Sequence, residues 1–387
     1  MRQHLIPLLF PLFGASALAA SPEELPESPC KAEFVYKGEW SSVAGGLRER
    51  TTYIDNVDLK LSLDAEAAFG WQGVSFYLQG LANSGADSGQ SPFLNVGDSQ
   101  GTSNIATRVN AAKLYAAWVR KDFADGRLSA LFGLFDLNSE FYATDSSGVF
   151  LNASFGIGLD LAQTGVNGPS IFPTPAPALR LRAEPREDFY LQTAVFNAQA
   201  GDPDHPSATV LRVSSHDGVL WVTETGFTPE KEGLKSKYAL GGWGYTRSFD
   251  DLRDGTPRAS TGAYLLIDQA LSGRLSWFLR NGVASDASNL IRRNTSVGLL
   301  LKGPFSRDND RFGIAVTQVA AGGAYLETLQ SAGKPGARSE EAYEISYHWE
   351  LRPGWALHPD FQYVVNPGFD PGVGEAQVST LRFEISF

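Results

Sequence analysis

Long stretches of the chain alternate between apolar and polar residues. Every second residue from Val57 to Phe69 is apolar, and those between them are mostly charged or hydroxylated. The C-terminal segment Thr380–Phe387 repeats the pattern. A period of two is that of a β-strand, and each stretch is about as long as the 9–11 residues with which a tilted strand crosses a bilayer. The pattern therefore predicts membrane-spanning strands.

The alternating stretches define a series of strands with a regular topology. They lie near residues 32–40, 56–70, 74–83, 107–120, 127–137, 178–184, 188–198, 218–228, 237–248, 258–269, 273–284, 292–302, 311–320, 340–351, 354–365 and 377–387. Tight connections such as 71–73 and 185–187 alternate with long ones. The long ones are 84–106, 138–176, 199–217 and 321–339. We predict an all-β fold, a transmembrane antiparallel β-barrel of about 16 strands with long extracellular loops and short periplasmic turns. Residues 208–215 also have strand composition, but a further strand would make the count odd.

Composition and charge narrow the class of protein. The mean hydropathy is −0.17 and no apolar run after residue 20 is long enough for a transmembrane helix, which excludes a helical inner-membrane protein. The net charge of −11 argues against a nucleic-acid-binding surface. Aromatic residues near strand ends are expected to form the girdle that meets the lipid headgroups. They are Trp71, Trp118, Tyr190, Trp349 and Trp355.

The N-terminal residues have the features of an export signal. Arg2 precedes a mostly apolar run from Leu5 to Leu18, and Ala17 and Ala19 supply small residues at the two positions that a signal peptidase requires. We expect residues 1–19 to be a signal peptide cleaved near Ala19, and residues 20–387 to form a single outer-membrane barrel domain. The single cysteine excludes an intramolecular disulfide.

The longest loop, residues 138–176, is the candidate for a constriction. A barrel of about 16 strands encloses a space that strand side chains alone do not fill. The loop is rich in Phe, Tyr, Asn and Gln, a mixture too apolar for free disorder. We expect it to fold into the pore, burying its aromatic residues and presenting amides and hydroxyls to a solute.

Four runs in and around this loop resemble a known family. They are Gly133–Phe141, Asp145–Asn152, Ser154–Gly158 and Gly168–Pro173. Together they are similar to the carbohydrate-selective porins of the OprB family. The resemblance implies a Gram-negative outer-membrane barrel through which sugars such as glucose diffuse passively. It also implies that the terminal Phe387 acts as a signal to the barrel assembly machinery.

A neutral sugar is held by aromatic faces and by groups that exchange hydrogen bonds with its hydroxyls, and binding must stay weak for the solute to leave. The pore-lining and substrate-binding candidates come from the polar positions of the alternating strands and from the long loop. They are Arg180, Arg182, Glu184, Tyr142, Asp145, Asn152, Gln163, Asn167, Asp64, Glu66, Lys113 and Tyr115. The expected partners are carbohydrate solutes, outer-membrane lipid and lipopolysaccharide. The pattern leaves both a monomer and a homotrimer open.

Other classes of function have weaker support. His205, His216, His348 and His358 lack metal-ligand spacing, and no G-x-S-x-G motif occurs, so we expect no catalytic residues, metal or cofactor. A general small-solute porin remains the alternative. A secreted β-rich hydrolase remains open because sequence does not give the separation of its carboxylates. A soluble sugar-binding β-sandwich would have strands about half as long.

Overall fold

A computed structural model describes residues 28–85, 91–214 and 216–387. Its sixteen long strands are β1 Cys30–Gly45, β2 Arg50–Asp64, β3 Val74–Ser84, β4 Ala111–Phe123, β5 Leu128–Phe135, β6 Ala176–Arg186, β7 Phe189–Asn197, β8 Val219–Phe227, β9 Leu234–Asp250, β10 Pro257–Ala270, β11 Leu275–Ala284, β12 Ile291–Lys302, β13 Arg311–Ala321, β14 Ser339–Arg352, β15 Trp355–Val365 and β16 Ala376–Ser386. A two-residue strand, Glu230–Lys231, pairs with the start of β9 in the turn before it. The predicted signal peptide, residues 1–19, lies outside the described residues.

Every strand pairs antiparallel with the next one in the chain. The sheet closes because β1 pairs on one side with β2 and on the other with β16, from Val35 opposite Ser386 to Gly45 opposite Ala376. Closure removes the two open edges that a flat sheet of the described long strands would have. The predicted all-β barrel of sixteen antiparallel strands is confirmed.

The helices are short and lie in the connections. They are α1 Ala65–Phe69, α2 Pro92–Val96, α3 Leu159–Ala162 and α4 Gly323–Ser331, with 3₁₀ turns at Leu137–Ser139, Ser146–Val149, Ala153–Phe155, Pro304–Ser306 and Pro367–Phe369. Among the described residues, none of these helices has the length and apolar character needed to cross a membrane. The four long connections follow β3, β5, β7 and β13, and their described residues, 85, 91–110, 136–175, 198–214, 216–218 and 322–338, lie at the same end of the barrel.

Two predicted elements differ from the structure. The strand predicted to run to residue 70 ends at Asp64, because the Asp64 side chain accepts the backbone N–H groups of Glu66 and Ala67 and thereby begins helix α1. In the segment 208–215, the described residues 208–214 form no strand.

The two faces of the wall differ as predicted. Outward side chains such as Leu59 and Leu240 are 51% and 60% exposed, which suits a surface in contact with lipid. Trp71 and Trp349 are also exposed on the outside. The prediction that Trp118 and Tyr190 belong to this outer girdle is wrong. Trp118 lies on the inner face of β4 with Arg120, and Tyr190 lies on the inner face of β7 with Gln192.

Candidate functional site

The connection between β5 and β6 is the largest element inside the barrel, and its two ends are tied together. The Asp136 carboxylate accepts the backbone N–H groups of Asn138 at 2.6 Å and Phe172 at 3.2 Å, and it also accepts the Tyr115 hydroxyl. The Ser170 hydroxyl donates to Phe135 O and accepts from Ala176 N–H. The loop therefore leaves and rejoins the wall through one closed neck.

Beyond the neck, Tyr142 anchors the loop to β8 and β10. Its backbone has a positive φ of 57°, which directs its N–H to the Glu224 carboxylate of β8 at 2.9 Å. Its ring stacks on that of Tyr264 in β10, with centroids 4.0 Å apart and planes 6° apart. Glu224 is fully buried and also accepts the hydroxyls of Tyr190 at 2.6 Å and Tyr264 at 2.8 Å. One carboxylate thus fixes the loop and the wall to each other.

Asp160 and Arg280 hold the same part of the loop. The Tyr142 hydroxyl donates to Asp160 in α3 at 2.9 Å. Arg280 of β11 donates to the carbonyls of Tyr142 at 2.8 Å and Gly156 at 2.6 Å, so it satisfies backbone acceptors that the loop buries. Burial raises the pKa of Asp160 to about 7, although the Tyr142 hydroxyl and Arg280 lower it.

Three further wall residues hold the loop along the barrel. Asp268 of β10 accepts the N–H and hydroxyl of Ser146 at 2.9 and 2.5 Å. Glu344 of β14 accepts the N–H groups of Leu151 at 2.5 Å and Asn152 at 3.1 Å. Asn294 of β12 accepts the N–H of Leu159 at 2.9 Å. The loop consequently covers the inner wall from β8 to β15.

A second connection, residues 91–110, also folds inward. Glu340 of β14 accepts the N–H groups of Ser99 and Gln100, and Gln362 of β15 donates to Thr102 O at 2.8 Å. Ser103 donates to Glu39 of β1 at 3.1 Å. Sequence reasoning marked residues 84–106 as a long connection but did not place them inside the barrel.

The inner wall of β2 to β6 remains uncovered by these anchors and keeps partly exposed polar and aromatic side chains. They are Lys60, Tyr77, Gln79, Lys113, Trp118, Arg120 and Arg182. On the long loop, Glu140 is partly buried and accepts from Arg180 of β6 at 2.9 Å, and Asp145 is exposed. The barrel thus has an anchored half and an open half.

Several of the predicted site residues lie on or near this open half. Arg182 donates to Glu184 at 2.7 Å and to Gln192 at 3.0 Å, and its guanidinium lies 4.2 Å from the Tyr190 ring centroid. Lys113 reaches the carbonyl of Pro206 at 3.5 Å.

Arg180 and Tyr115, in contrast, are buried. Arg180 donates to Glu140 at 2.9 Å and to Ser129 Oγ at 2.5 Å. These two residues brace the loop and its neck.

The predicted loop residues also divide between exposed and buried positions. Asp145 is exposed, and Gln163 is exposed while donating to Ser99 O at 2.7 Å, which joins the two inward loops. Asn152 is buried and donates to Gln362 at 3.1 Å. Asn167 donates to Ala200 O at 2.7 Å, on the outer part of the loop. The structure does not bring all four together.

Asp64 and Glu66 do not line the barrel interior, contrary to the prediction. Asp64 caps helix α1, and Glu66 accepts the N–H of Gly73 at 2.8 Å. Both side chains are exposed at the turn between β2 and β3. The alternating pattern ran on through a helix of one turn, so parity assigned them to the wrong environment.

Sequence reasoning missed the residues that anchor the loop. Parity places Glu224, Asp268 and Arg280 on the inner face of their strands, which is the available signal. Their partners are far away in sequence, so no local pattern connects them with Tyr142 or Ser146.

Comparison with known proteins agrees with this architecture. Residues 48–387 match the family described as carbohydrate-selective porin, OprB family. The chain is similar to the high-pH structure of Pseudomonas putida OprB, with 23% identity, 93% of this chain and 94% of that chain covered and a TM-score of 0.81. The low-pH structure of the same protein gives 18% identity, 93% coverage of each chain and a TM-score of 0.58.

A more distant likeness is to a mutant of the Rh. blastica porin, with 11% identity, 92% of this chain and 100% of that chain covered and a TM-score of 0.53. No curated protein is significantly similar to the chain in sequence. The matched family accounts for most of the chain, including β2 to β16 and the inward loop. The chain belongs to the carbohydrate-selective porins of the OprB family, which are non-enzymatic channels through which sugars diffuse across the outer membrane.

Proposed function

We propose that sugars pass between the long loop, residues 136–175, and the inner wall of β2 to β6, and that this gap selects them. The observation that carries the proposal is the one-sided anchoring of the loop. Glu224, Asp268 and Glu344 bind it to one half of the barrel. The other half keeps partly exposed polar and aromatic side chains, so that half is the side left open to a solute.

The chemistry of the two faces suits a neutral polyol. The wall offers the cations Lys60, Arg120 and Arg182, which donate hydrogen bonds, and the loop offers the carboxylates of Glu140 and Asp145, which accept them. A sugar hydroxyl both donates and accepts, so one molecule engages both faces. Most of these charges already have partners in the protein, such as Arg120 with Asp122 at 2.8 Å. Partial neutralisation keeps sugar binding weak, as rapid release requires.

The predicted site residues then have two kinds of role. Arg182, Glu184, Lys113, Asp145 and Gln163 are proposed to contact the solute. Arg180, Tyr142, Asn152, Tyr115 and Asn167 are proposed to hold the loop and its neck in place, because each has a hydrogen bond that ties loop residues to the wall or to another loop.

The proposal is tested with Arg182→Gln, using Arg186→Gln as the control. Both arginines lie on β6, but Arg186 is exposed at the turn and pairs with Asp188. Glucose binding, measured from sugar-induced current noise in planar bilayers, is expected to weaken about threefold to tenfold in Arg182→Gln, the value of one hydrogen bond of about 0.5–1.5 kcal/mol. Equal glucose binding in both variants would refute the proposed gap.

A general small-solute porin is the competing function. It predicts entry rates in liposome swelling that depend only on solute size, with glucose no faster than a non-sugar of equal size. A sugar-selective gap predicts faster entry of glucose.

We also propose that the exported chain is cleaved near Ala19 and is assembled through Phe387. The Phe387 ring is 73% exposed and stacks with Phe34 at 6.4 Å, so it is presented on the outside of the barrel where β1 and β16 meet. N-terminal sequencing of the mature protein tests the cleavage. Phe387→Ala is expected to lower the yield of folded barrel in the outer membrane, and an unchanged yield would contradict the assembly role.

A further inference from the structure

An aromatic stack interrupts the polar inner wall of the open half. Tyr77 of β3 and Trp118 of β4 are directly opposite in the strand register and point inward. Their ring centroids are 5.1 Å apart and their planes differ by 19°, which is an offset stack. Both side chains retain solvent-exposed surface. Aromatic surface facing a water-filled passage has a cost unless a ligand covers it during transport.

Packing accounts for only part of this stack. On one side it contacts the small cluster of Leu81, Tyr115 and Ala116, to which Phe172 of the loop also belongs. The Tyr77 hydroxyl is occupied, because it donates to Gln79 at 3.0 Å. Trp118 also packs against the larger buried cluster around Phe135. The parts of both rings that remain exposed are mostly apolar carbon surface.

Groups that bind hydroxyls surround the stack. Arg120 follows Trp118 on the same face of β4, and Lys60 of β2 lies opposite Gln79. Gln79 donates to the buried Asp58 at 2.8 Å, which fixes the orientation of the amide next to Tyr77. A flat apolar surface bordered by cations and amides is complementary to a pyranose ring, whose C–H groups form an apolar face and whose hydroxyls point outward from the rim.

We propose that the Tyr77–Trp118 stack is a pyranose-binding site on the passage, in which the sugar ring stacks on the exposed aromatic surface while Arg120 and Lys60 donate to its hydroxyls. The site rests on the proposed function and deepens it, because it names the ring form of a hexose as the preferred solute. An open-chain polyol such as sorbitol has the same carbon count and similar hydroxyls but no rigid apolar face. The stack therefore distinguishes glucose from sorbitol.

The test measures glucose and sorbitol binding by current noise in planar bilayers for wild type, Trp118→Leu and Tyr77→Phe. Trp118→Leu removes the stacking surface, and glucose binding is expected to weaken about threefold to tenfold, with sorbitol binding unchanged. Tyr77→Phe keeps the ring and removes only the hydrogen bond to Gln79, so its glucose binding is expected to stay within about twofold of wild type. Trp221→Leu, at a tryptophan that is 40% exposed on the outer face, is the control for loss of an indole.

The folding of each variant is checked by its heat-modifiable migration and by its conductance in KCl. Wild-type glucose binding that equals sorbitol binding, or unchanged glucose binding in a folded Trp118→Leu barrel, would overturn the site. If Arg182→Gln weakens glucose binding and Trp118→Leu does not, the gap stands and only the stacking site fails. If neither variant changes glucose binding, the gap itself is refuted.

Discussion

Removal of the Glu224 carboxylate is the most informative perturbation of the loop. Glu224→Leu keeps a similar side-chain volume but leaves the Tyr142 N–H and the hydroxyls of Tyr190 and Tyr264 without their acceptor. It also removes the ion-pair partner of Lys237, whose Nζ lies 3.4 Å from the carboxylate and also donates to Ala143 O of the loop at 2.9 Å. Each of the three unsatisfied buried donors costs about 1–3 kcal/mol, so the docked loop loses about 3–9 kcal/mol. These donors regain hydrogen bonds only if water enters, which requires the loop to move away from β8.

The expected result is a wider and less selective passage through an intact barrel. Single-channel conductance in KCl should rise, and liposomes should admit a disaccharide faster than liposomes with wild type do. Glu224→Gln retains one acceptor oxygen for the Tyr142 N–H, so its conductance should lie between those of wild type and Glu224→Leu. Thr223→Leu, on the outward face of β8, is the control. A conductance and a disaccharide entry rate equal to those of wild type in Glu224→Leu would refute the claim that this carboxylate holds the loop.

Three further changes test the same contacts. Gly282→Ala would place a Cβ against the Tyr142 hydroxyl and the Asp160 carboxylate. We expect this overpacking to cost about 1–3 kcal/mol of loop docking and to raise the conductance. The control Gly80→Ala, whose added Cβ has no atom near it, should have the conductance of wild type. Burial raises the pKa of Asp160 to about 7, so its carboxyl group binds a proton more tightly in the docked loop than in a released loop. Docking is therefore strongest below about pH 4 and weakens as the pH rises to about 7. Wild-type conductance should therefore rise between about pH 4 and 7, and Asp160→Asn should abolish the rise; a rise that persists in Asp160→Asn would count against this group. Glu344→Gln weakens the hydrogen bonds from the N–H groups of Leu151 and Asn152 by about 1–3 kcal/mol. Combined with Glu224→Leu, it should increase the conductance more than either change alone. No further increase would mean that the two anchors do not act independently.

The barrel could be predicted from sequence because its signal is local. In β16, Leu381 and Phe383 face outward while Arg382 and Glu384 face inward, as the alternation alone predicts. Burial on one face and lipid on the other enforce this period along each strand, so no knowledge of distant residues is needed.

Local parity failed where the backbone departs from a regular strand. Between Gln79 and Gly80 the register with β4 shifts, and the extra residue Tyr115 changes which positions of β4 face inward. Trp118 therefore lies on the inner face although its position near the strand end is typical of a girdle. The prediction that Asp64 lines the pore was wrong for a related reason, because the strand ends at Asp64 and this residue caps helix α1.

The loop contacts could not be predicted because they join residues far apart in the chain. Tyr142 meets Glu224 and Asn152 meets Glu344, and neither pair shares a motif or a period. Composition indicated that the loop would fold inward, but the side of the barrel to which it binds depends on where inward carboxylates occur on strands that follow much later. That placement determines which wall remains open.

Liposome swelling with glucose and glutamine tests the central claim most directly, because both solutes are neutral overall and glutamine is the smaller. A passage that selects sugars through the loop predicts faster entry of glucose in wild type and faster entry of glutamine in Glu224→Leu. Entry ranked by size in both proteins would contradict the account.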